Sequence, residues 1–227
     1  MARTHLSFLT PREQLHAGRL PRRLAQLAFG LSLYGLSMAV MIRSQLGLAP
    51  WDVLHSGLTQ RLPLTFGQIT IVVGALVLVL WMPLRQWPGL GTVANVVVIG
   101  LATDASLALI PEPSALAPRG ALLLGGIVLN GLAGGLYIGS QLGPGPRDGL
   151  MTGFARRTGW SFRLVRTGIE ISVLGIGWLL GGVVGVGTVV YALSIGPLVH
   201  FFLPRVTVAL DQPAVASEKG STASAPA

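Results

Sequence analysis

The sequence predicts an all-α polytopic membrane protein with about six transmembrane helices, arranged as two inverted three-helix repeats. Three observations support this prediction. Of the 227 residues, 51% are hydrophobic and only 11% are charged, whereas about a quarter of the residues of soluble proteins are charged. Six stretches approach or exceed the roughly 18 apolar residues that span a bilayer. The two halves of the chain also align with each other.

The six predicted spans are 24–42, 66–82, 90–110, 120–139, 164–180 and 183–203. The second span is short and the fifth is polar at one end. The first apolar run is too long for the core of a signal peptide, so we interpret it as a membrane span. The chain contains no cysteine, which excludes disulfides and thiolate metal sites.

The net charge of +8 is distributed unevenly along the chain. With the N-terminus inside, only Arg43, Arg61 and Arg119 fall on the outer side, and the other basic residues fall on the inner side. This positive-inside pattern predicts a membrane protein with both termini in the cytoplasm. Nucleic-acid binding needs a continuous basic surface. Because the basic residues are divided among several loops, the lipid bilayer is the expected partner and nucleic acid is not.

A shift of 96 positions aligns the two halves without a gap, and roughly 26 of 87 positions match. An odd number of spans in each copy makes the second copy enter the membrane in the opposite direction. Inverted repeats of this kind recur among transporters. The predicted organisation is a basic cytoplasmic arm (1–23), a first repeat (24–110), an external loop (111–119), a second repeat (120–206) and a disordered cytoplasmic tail (207–227).

One motif occurs in both copies, as "SQLGLAPWDVLHSGL" at 44–58 and "SQLGPGPRDGLMTGF" at 140–154. Gly47 and Gly143 permit a backbone turn, and Pro50 and Pro146 suit the first turn of a following helix. Each motif therefore predicts a chain break and then a short helix that lies along the membrane surface or dips into it. We assign Trp51 to the membrane interface as an anchor.

Asp52 and Asp148 follow the prolines and allow two interpretations. As site residues, they offer carboxylates to a cation, a proton or a cationic substrate in re-entrant or gating segments. As structural residues, each places negative charge at the positive end of its helix. Inheritance from a single duplication is compatible with both interpretations.

Three further ionisable residues within the predicted spans are candidates for substrate or ion binding: Asp104, Glu170 and His200. His200 is the repeat equivalent of Asp104. Arg166 precedes Glu170 by one helical turn, so an intrahelical ion pair is the structural alternative for Glu170. For His200 the alternative is an interfacial location or a charge contact at a helix end.

Arg156 and Arg157 are candidates for contact with a cytoplasmic protein partner or with anionic lipid. The sequence contains no Walker-type GxxxxGK[ST] and no HExxH, and no convincing catalytic set is present. We therefore expect no enzyme activity, no cofactor and no metal site.

Four stretches together resemble the bacterial YczE-like integral membrane proteins, which belong to the YczE/YyaS/YitT group. They are "GLAPWDVLHSGL" at 47–58, "GPGPRDGLMTGFARRTG" at 143–159, "VRTGIEISVLGIGWLLGG" at 165–182 and "GVGTVVYALSIGPLVHFFLP" at 185–204. The resemblance covers most of residues 20–205. It implies a protein of the bacterial cytoplasmic (inner) membrane, and it supplies no catalytic residues.

The leading functional hypothesis is a small transporter-like permease or exporter for a small molecule or ion. The alternative is a non-transporting membrane scaffold or regulator that docks a cytoplasmic partner.

Overall fold

Nine helices account for most of the chain in the computed structural model, which describes residues 10–210. They are α1 (Pro11–His16), α2 (Leu20–Ser44), α3 (Pro50–Thr59), α4 (Phe66–Trp81), α5 (Leu90–Leu109), α6 (Leu116–Gly139), α7 (Pro146–Thr158), α8 (Phe162–Leu179) and α9 (Val186–Val206). The all-helical membrane fold predicted from the sequence is therefore confirmed. Residues 1–9 of the predicted arm and the tail from 211 onward lie outside the described residues.

Each of the six predicted spans corresponds to a helix, but only four of these helices are long and apolar enough to cross a membrane: α2, α5, α6 and α9. Helix α4 has 16 residues, about 24 Å of helix, while the hydrocarbon core is about 30 Å thick. Helix α8 has 18 residues and carries Arg163, Arg166 and Glu170 in its first half. Four spans are thus supported by length and composition.

Local sequence signals explain where several helices begin. The side chains of Thr65 and Ser161 cap α4 and α8 by accepting hydrogen bonds from the backbone N–H groups of Gln68 and Leu164, at 3.1 and 3.3 Å. Pro50 and Pro146 are the first residues of α3 and α7, where a missing N–H costs nothing.

The predicted chain break in each motif is confirmed by its backbone. Gly47 and Gly143 have φ angles of +120° and +119°, in a region that residues with a Cβ rarely adopt. Gln45 and Gln141, two residues earlier in each copy, are also left-handed, with φ of 52° and 56°. The two copies therefore make the same turn.

The element order of the first half recurs in the second. Helices α2, α3, α4 and α5 begin at residues 20, 50, 66 and 90, and helices α6, α7, α8 and α9 begin at 116, 146, 162 and 186. Each start in the second series is 96 residues after its counterpart, which is the shift that aligns the sequence.

Helices α2 and α6 form the centre of the molecule and run antiparallel. Gly30 in α2 lies against Leu136 and Tyr137 in α6, and Gly126 in α6 lies against Met41 in α2. Glycine allows the two backbones to approach closely. Helix α5 packs on α2 and α9 packs on α6, so each outer long helix contacts one of the two central helices.

Two arginines, one at each end of the α2–α6 pair, define the two faces of the protein. Arg23 is fully buried and donates from Nε to the carbonyl of Ser140 (2.8 Å) and from Nη2 to that of Gln141 (2.7 Å). Arg119 donates in the same way to the carbonyls of Ser44 (2.8 Å) and Gln45 (3.0 Å). We call the two ends the Arg23 face and the Arg119 face.

These contacts change the interpretation of both arginines. From the sequence, Arg23 is predicted in the cytoplasmic arm and Arg119 in the external loop, where both would act as topology charges. Each instead donates to carbonyl groups at the end of a long helix, where the last carbonyls have no partner within the helix. The sequence predicts that the two repeats start at residues 24 and 120. The matching arginine contacts, at positions 23 and 119, lie one residue before these starts.

Candidate functional site

The short helices α3 and α7 lie inside the protein. Helix α3 contacts α4 and α8, while α7 contacts α4, α5 and α8. Most of α3 is buried, and the first half of α7 is buried or half-buried. Both short helices are therefore packed among other helices of the protein. The interfacial position expected for Trp51 is wrong, because its ring is 6% exposed in a cluster with Trp81 and Met151.

The N-terminal turns of α3 and α7 meet near the middle of the molecule. Nη2 of Arg147 lies 3.5 Å from Oδ1 of Asp52, and Nδ1 of His55 lies 3.6 Å from the same oxygen. The guanidinium carbon of Arg147 is 5.1 Å from the centre of the Trp51 ring, within cation–π range. Asp52 is buried, and its Oδ1 accepts no hydrogen bond from the described residues. The Asp52–Arg147 contact is therefore electrostatic.

A cavity of about 400 Å³ adjoins this contact, a size found for small-molecule sites. The first residues of both short helices line it, including Pro50 and Pro146. The positive ends of the two helix dipoles therefore point toward the same space.

Aromatic and amide side chains contribute most of the neutral polar lining. They are Tyr34, Asn95, Asn130, Tyr137 and Tyr191. Tyr191 donates its hydroxyl to Oδ1 of Asn130 (3.0 Å), and Nδ2 of Asn130 donates to Oγ of Ser37 (2.8 Å). Since buried polar groups need partners, this chain of bonds fixes Asn130 and Tyr191 in place.

The two motif aspartates have different surroundings. Asp148 lines the cavity, and its Oδ2 accepts a hydrogen bond of 2.8 Å from the hydroxyl of Tyr137. Asp52 is beside the cavity and next to Arg147, which lines it. Both aspartates are in the first turns of their helices, as expected from the sequence, and each also has a side-chain partner on another helix.

Glu170 and His200 are also in the cavity lining, where it reaches the surface between α8 and α9. Oε1 of Glu170 lies 3.0 Å from Nε of Arg166, the predicted intrahelical ion pair. The side chains of Arg166 and Glu170 are 46% and 32% exposed, so the pair is at the mouth of the cavity. His200 is exposed in the same region.

Asp104, the remaining acidic candidate, does not line this cavity. Its Oδ2 accepts a 2.5 Å hydrogen bond from the Thr65 hydroxyl, and its Oδ1 accepts a 2.8 Å bond from the Gly67 backbone N–H. Asp104 therefore joins α5 to the start of α4 near the Arg119 face.

Arg156 and Arg157, the candidates for partner or lipid contact, are exposed at the end of α7, away from the cavity. Nη1 of Arg157 donates to the carbonyl of Pro83 at 2.7 Å. Within residues 10–210, no group of three or more His, Asp or Glu residues is arranged to hold a metal ion.

Sequence reasoning missed Arg147, which it counted only as an inside charge. The repeat alignment contains a signal that identifies this position, because the Pro-x-Asp motif has Trp51 in one copy and Arg147 in the other. The same alignment pairs Tyr34 with Asn130 and Asn95 with Tyr191, and all four residues line the cavity. The two copies therefore contribute different chemistry at equivalent positions.

The chain matches the family described as "Family of unknown function (DUF6198)" over residues 21–204. It belongs to this YczE-like family. A protein of Haemophilus influenzae named "Uncharacterized protein" is 42% identical over 177 residues, which cover 78% of this chain and 81% of that one. No solved structure matches the chain.

Two Bacillus subtilis proteins are also similar to this chain. The "Uncharacterized membrane protein YczE" is 37% identical over 180 residues, covering 79% of this chain and 81% of YczE. The "Uncharacterized protein YyaS" is 25% identical over 181 residues, covering 78% of this chain and 90% of YyaS. The chain is therefore a membrane protein of a family whose function is unknown.

Proposed function

We propose that this protein is a small membrane permease in which two inverted repeats surround a central substrate cavity and open it to one face at a time. The observation that carries the proposal is an asymmetry between equivalent helix pairs. The α4–α5 pair is packed closely, while the equivalent α8–α9 pair is separated and the cavity opens between its members.

Reciprocal contacts support the inverted arrangement. Besides the matching Arg23 and Arg119 bonds, the backbone N–H of Gly91 donates to Leu142 O (2.8 Å), and that of Gly187 donates to Leu46 O (2.7 Å). Residues 91 and 187 are equivalent in the alignment, as are 46 and 142. Each copy therefore binds the turn of the other copy through the same atoms, as expected for a twofold axis in the membrane plane.

The closed pair is sealed by Asp104 and by two glycines. Gly67 and Gly100 bring α4 and α5 so close that a Cβ on Gly100 would be 2.6 Å from the Gly67 carbonyl oxygen. The equivalent of Gly100 is Gly196, and a Cβ there would meet no atom within 4 Å. The equivalents of Thr65 and Asp104 are Ser161 and His200, both of which are exposed.

A simple motion would exchange the closed arrangement of α4 and α5 with the open arrangement of α8 and α9. If the start of α8 moved onto α9, Ser161 would approach His200 and close the cavity on the Arg23 side. If α4 separated from α5 at the same time, the Thr65–Asp104 bond would break and the Arg119 side would open. Transporters with inverted repeats alternate by exchanging the conformations of their two copies.

The test uses cross-linking in a chain that has no native cysteine. Full-length Thr65→Cys/Asp104→Cys and Ser161→Cys/His200→Cys variants are treated in membrane vesicles with a short bifunctional thiol reagent. We expect both pairs to cross-link, since each is close in one of the two states. The single-cysteine variants are the controls for intermolecular products.

A protein that holds only the observed conformation gives a different cross-linking result. In that case the 65–104 pair cross-links and the 161–200 pair does not, whatever the reaction time. That outcome would contradict the permease proposal, and it would favour the scaffold that docks a cytoplasmic partner. Exposed Arg156 at the end of α7 is the observation that favours this second function.

The proposed orientation places the Arg23 face in the cytoplasm of a bacterial inner membrane. Exposed arginines that support it are Arg22, Arg85, Arg156, Arg163 and Arg205, all close to the helix ends at that face, as the positive-inside rule requires. In this orientation the cavity is open toward the cytoplasm. Arg61 is an exposed arginine on the opposite side.

A further inference from the structure

The charged groups at the cavity leave two opposite charges available to a ligand. Arg147 lines the cavity and donates no hydrogen bond to the described residues, although a guanidinium has five N–H donors. Asp148, the next residue, accepts a bond from Tyr137 through Oδ2. Its Oδ1 has no such partner among the described residues. Both groups project from the first turn of α7.

The surroundings hold Arg147 in a fixed position. The Trp51 ring stacks against its guanidinium group, and Asp52 lies on one side of it at 3.5 Å. Because Asp52 is buried, its carboxylate pairs with Arg147 and does not contact a bound solute. A planar guanidinium held in this way binds a carboxylate through two parallel hydrogen bonds.

The charge balance argues against a simple anion, and the two opposite charges on the first turn of α7 favour a ligand that pairs with both. Around the cavity, the carboxylates of Asp52, Asp148 and Glu170 outnumber the guanidinium groups of Arg147 and Arg166 by one. An anion bound at Arg147 would face the uncompensated charge of Asp148. A cation bound at Asp148 would leave the N–H donors of Arg147 without an acceptor on the ligand, so it would use only one of the two groups. A solute that carries both charges satisfies both groups.

We infer that the cavity binds a small zwitterion, with its carboxylate on Arg147 and its ammonium group on Asp148. The ligand therefore belongs to the chemical class of the amino acids, and the inference rests on the proposed function for the statement that such a solute is transported. The cavity volume of about 400 Å³ leaves room for a side chain. Tyr34 and Tyr191 form part of the wall that such a side chain would contact.

The experiment measures binding by the full-length protein in lipid nanodiscs, through thermal stabilisation by three matched sets of probes. The first set is the twenty common L-amino acids, the second is their methyl esters, which are cations at the amino group, and the third is their N-acetyl derivatives, which are anions at the carboxyl group. We expect at least one free amino acid to bind at least about ten-fold more tightly than its ester and its N-acetyl form, since each derivative loses a charge-assisted bond.

Substitutions of Arg147 and Asp148 test which side chain binds each charge of the ligand. Arg147→Gln is expected to remove the preference for the free amino acid over its ester, and Asp148→Asn the preference over the N-acetyl form. Because Arg147→Gln leaves Asp52 buried without its partner, the Asp52→Asn/Arg147→Gln double variant provides the same comparison in a charge-balanced protein. Arg157→Gln, outside the cavity, is the matched control and should bind as the unchanged protein does.

Three results would overturn the inference. They are equal binding of esters and free amino acids, equal binding of N-acetyl and free forms, and no stabilisation by any of the three sets. None of these depends on the cross-linking of Ser161→Cys/His200→Cys. A protein that alternates but prefers the esters would therefore remain a permease, with a cationic substrate.

Discussion

Single residues in this protein have roles that depend on contacts between the two halves. Among residues 10–210, the guanidinium of Arg23 has no carboxylate partner. It donates instead to backbone carbonyls, including those of Gln14, Ser140 and Gln141. A buried cation is tolerated when its donors are satisfied. Arg119 makes two of the same contacts in a partly exposed position, so it provides a natural comparison.

Replacing Arg23 with Gln should destabilise the protein more than replacing Arg119 with Gln. Arg23→Gln removes several charge-assisted bonds in a buried site, a loss of about 3 kcal/mol or more. At Arg119 water can replace part of the loss, so we expect about 1 kcal/mol. Thermal unfolding in detergent would measure both changes. Equal melting temperatures for the two variants would show that the burial of Arg23 does not increase its contribution to stability.

At the scale of elements, the two copies of the helix series differ most where α4 meets α5 and α8 meets α9. The first pair is in close contact through Gly67 and Gly100, and the second is open beside Gly196. The duplicated sequence predicts one helix-pair geometry twice. The structure has two geometries, which is the difference that an alternating protein requires.

Alanine at Gly100 and at Gly196 should therefore have opposite effects. A Cβ at Gly100 would be 2.6 Å from the Gly67 carbonyl oxygen and from Cγ1 of Ile71, so Gly100→Ala should lower stability by about 1–3 kcal/mol. A Cβ at Gly196 meets open space, so Gly196→Ala should be neutral or stabilise by up to about 1 kcal/mol. The two melting temperatures provide the comparison. Destabilisation by Gly196→Ala would indicate that α8 and α9 are closed in most molecules.

The turn glycines provide a second matched pair of elements. Gly47 and Gly143 have φ close to +120°, where alanine is strained whatever space surrounds it. Gly47→Ala and Gly143→Ala should each destabilise the protein by about 1–3 kcal/mol, measured by thermal unfolding in detergent. If one of the two is neutral, the corresponding turn is not needed to position its short helix.

At the scale of the whole molecule, the contacts that hold the fold run between the two halves. Helices α2 and α6 pack together along their lengths, α3 contacts α8, and α7 contacts α4. Each half therefore leaves the start of its short helix, and half of the cavity, without support when it is alone. The short connection between α5 and α6 carries few of these contacts, although Arg43 pairs with Glu112 there at 2.7 Å.

A chain divided after Ser114 should consequently assemble only when both parts are present. We expect residues 1–114 and 115–227 to copurify as a stable complex after coexpression, and each part to be degraded or aggregated when expressed alone. Size-exclusion chromatography and limited proteolysis would measure this. A stable, monomeric half would mean that the repeat is an independent folding unit.

The sequence by itself determined the membrane class, the family resemblance, the helix positions and the chain breaks at Gly47 and Gly143. It could do so because apolar runs, caps, prolines and glycines act over a few residues. It also identified Asp148, Glu170 and His200, three residues that line the cavity, because charged residues in apolar spans are conspicuous.

Only the tertiary structure decided which charges meet. Asp52 and Arg147 are 95 positions apart, and their contact depends on how one copy docks on the other. Local sequence patterns also could not show that Asp104 bonds to the start of α4, whereas its equivalent, His200, lies beside the gap between α8 and α9. The long-range packing of two similar copies into two different helix pairings sets these roles. That packing depends on the whole chain, so no single stretch of sequence encodes it.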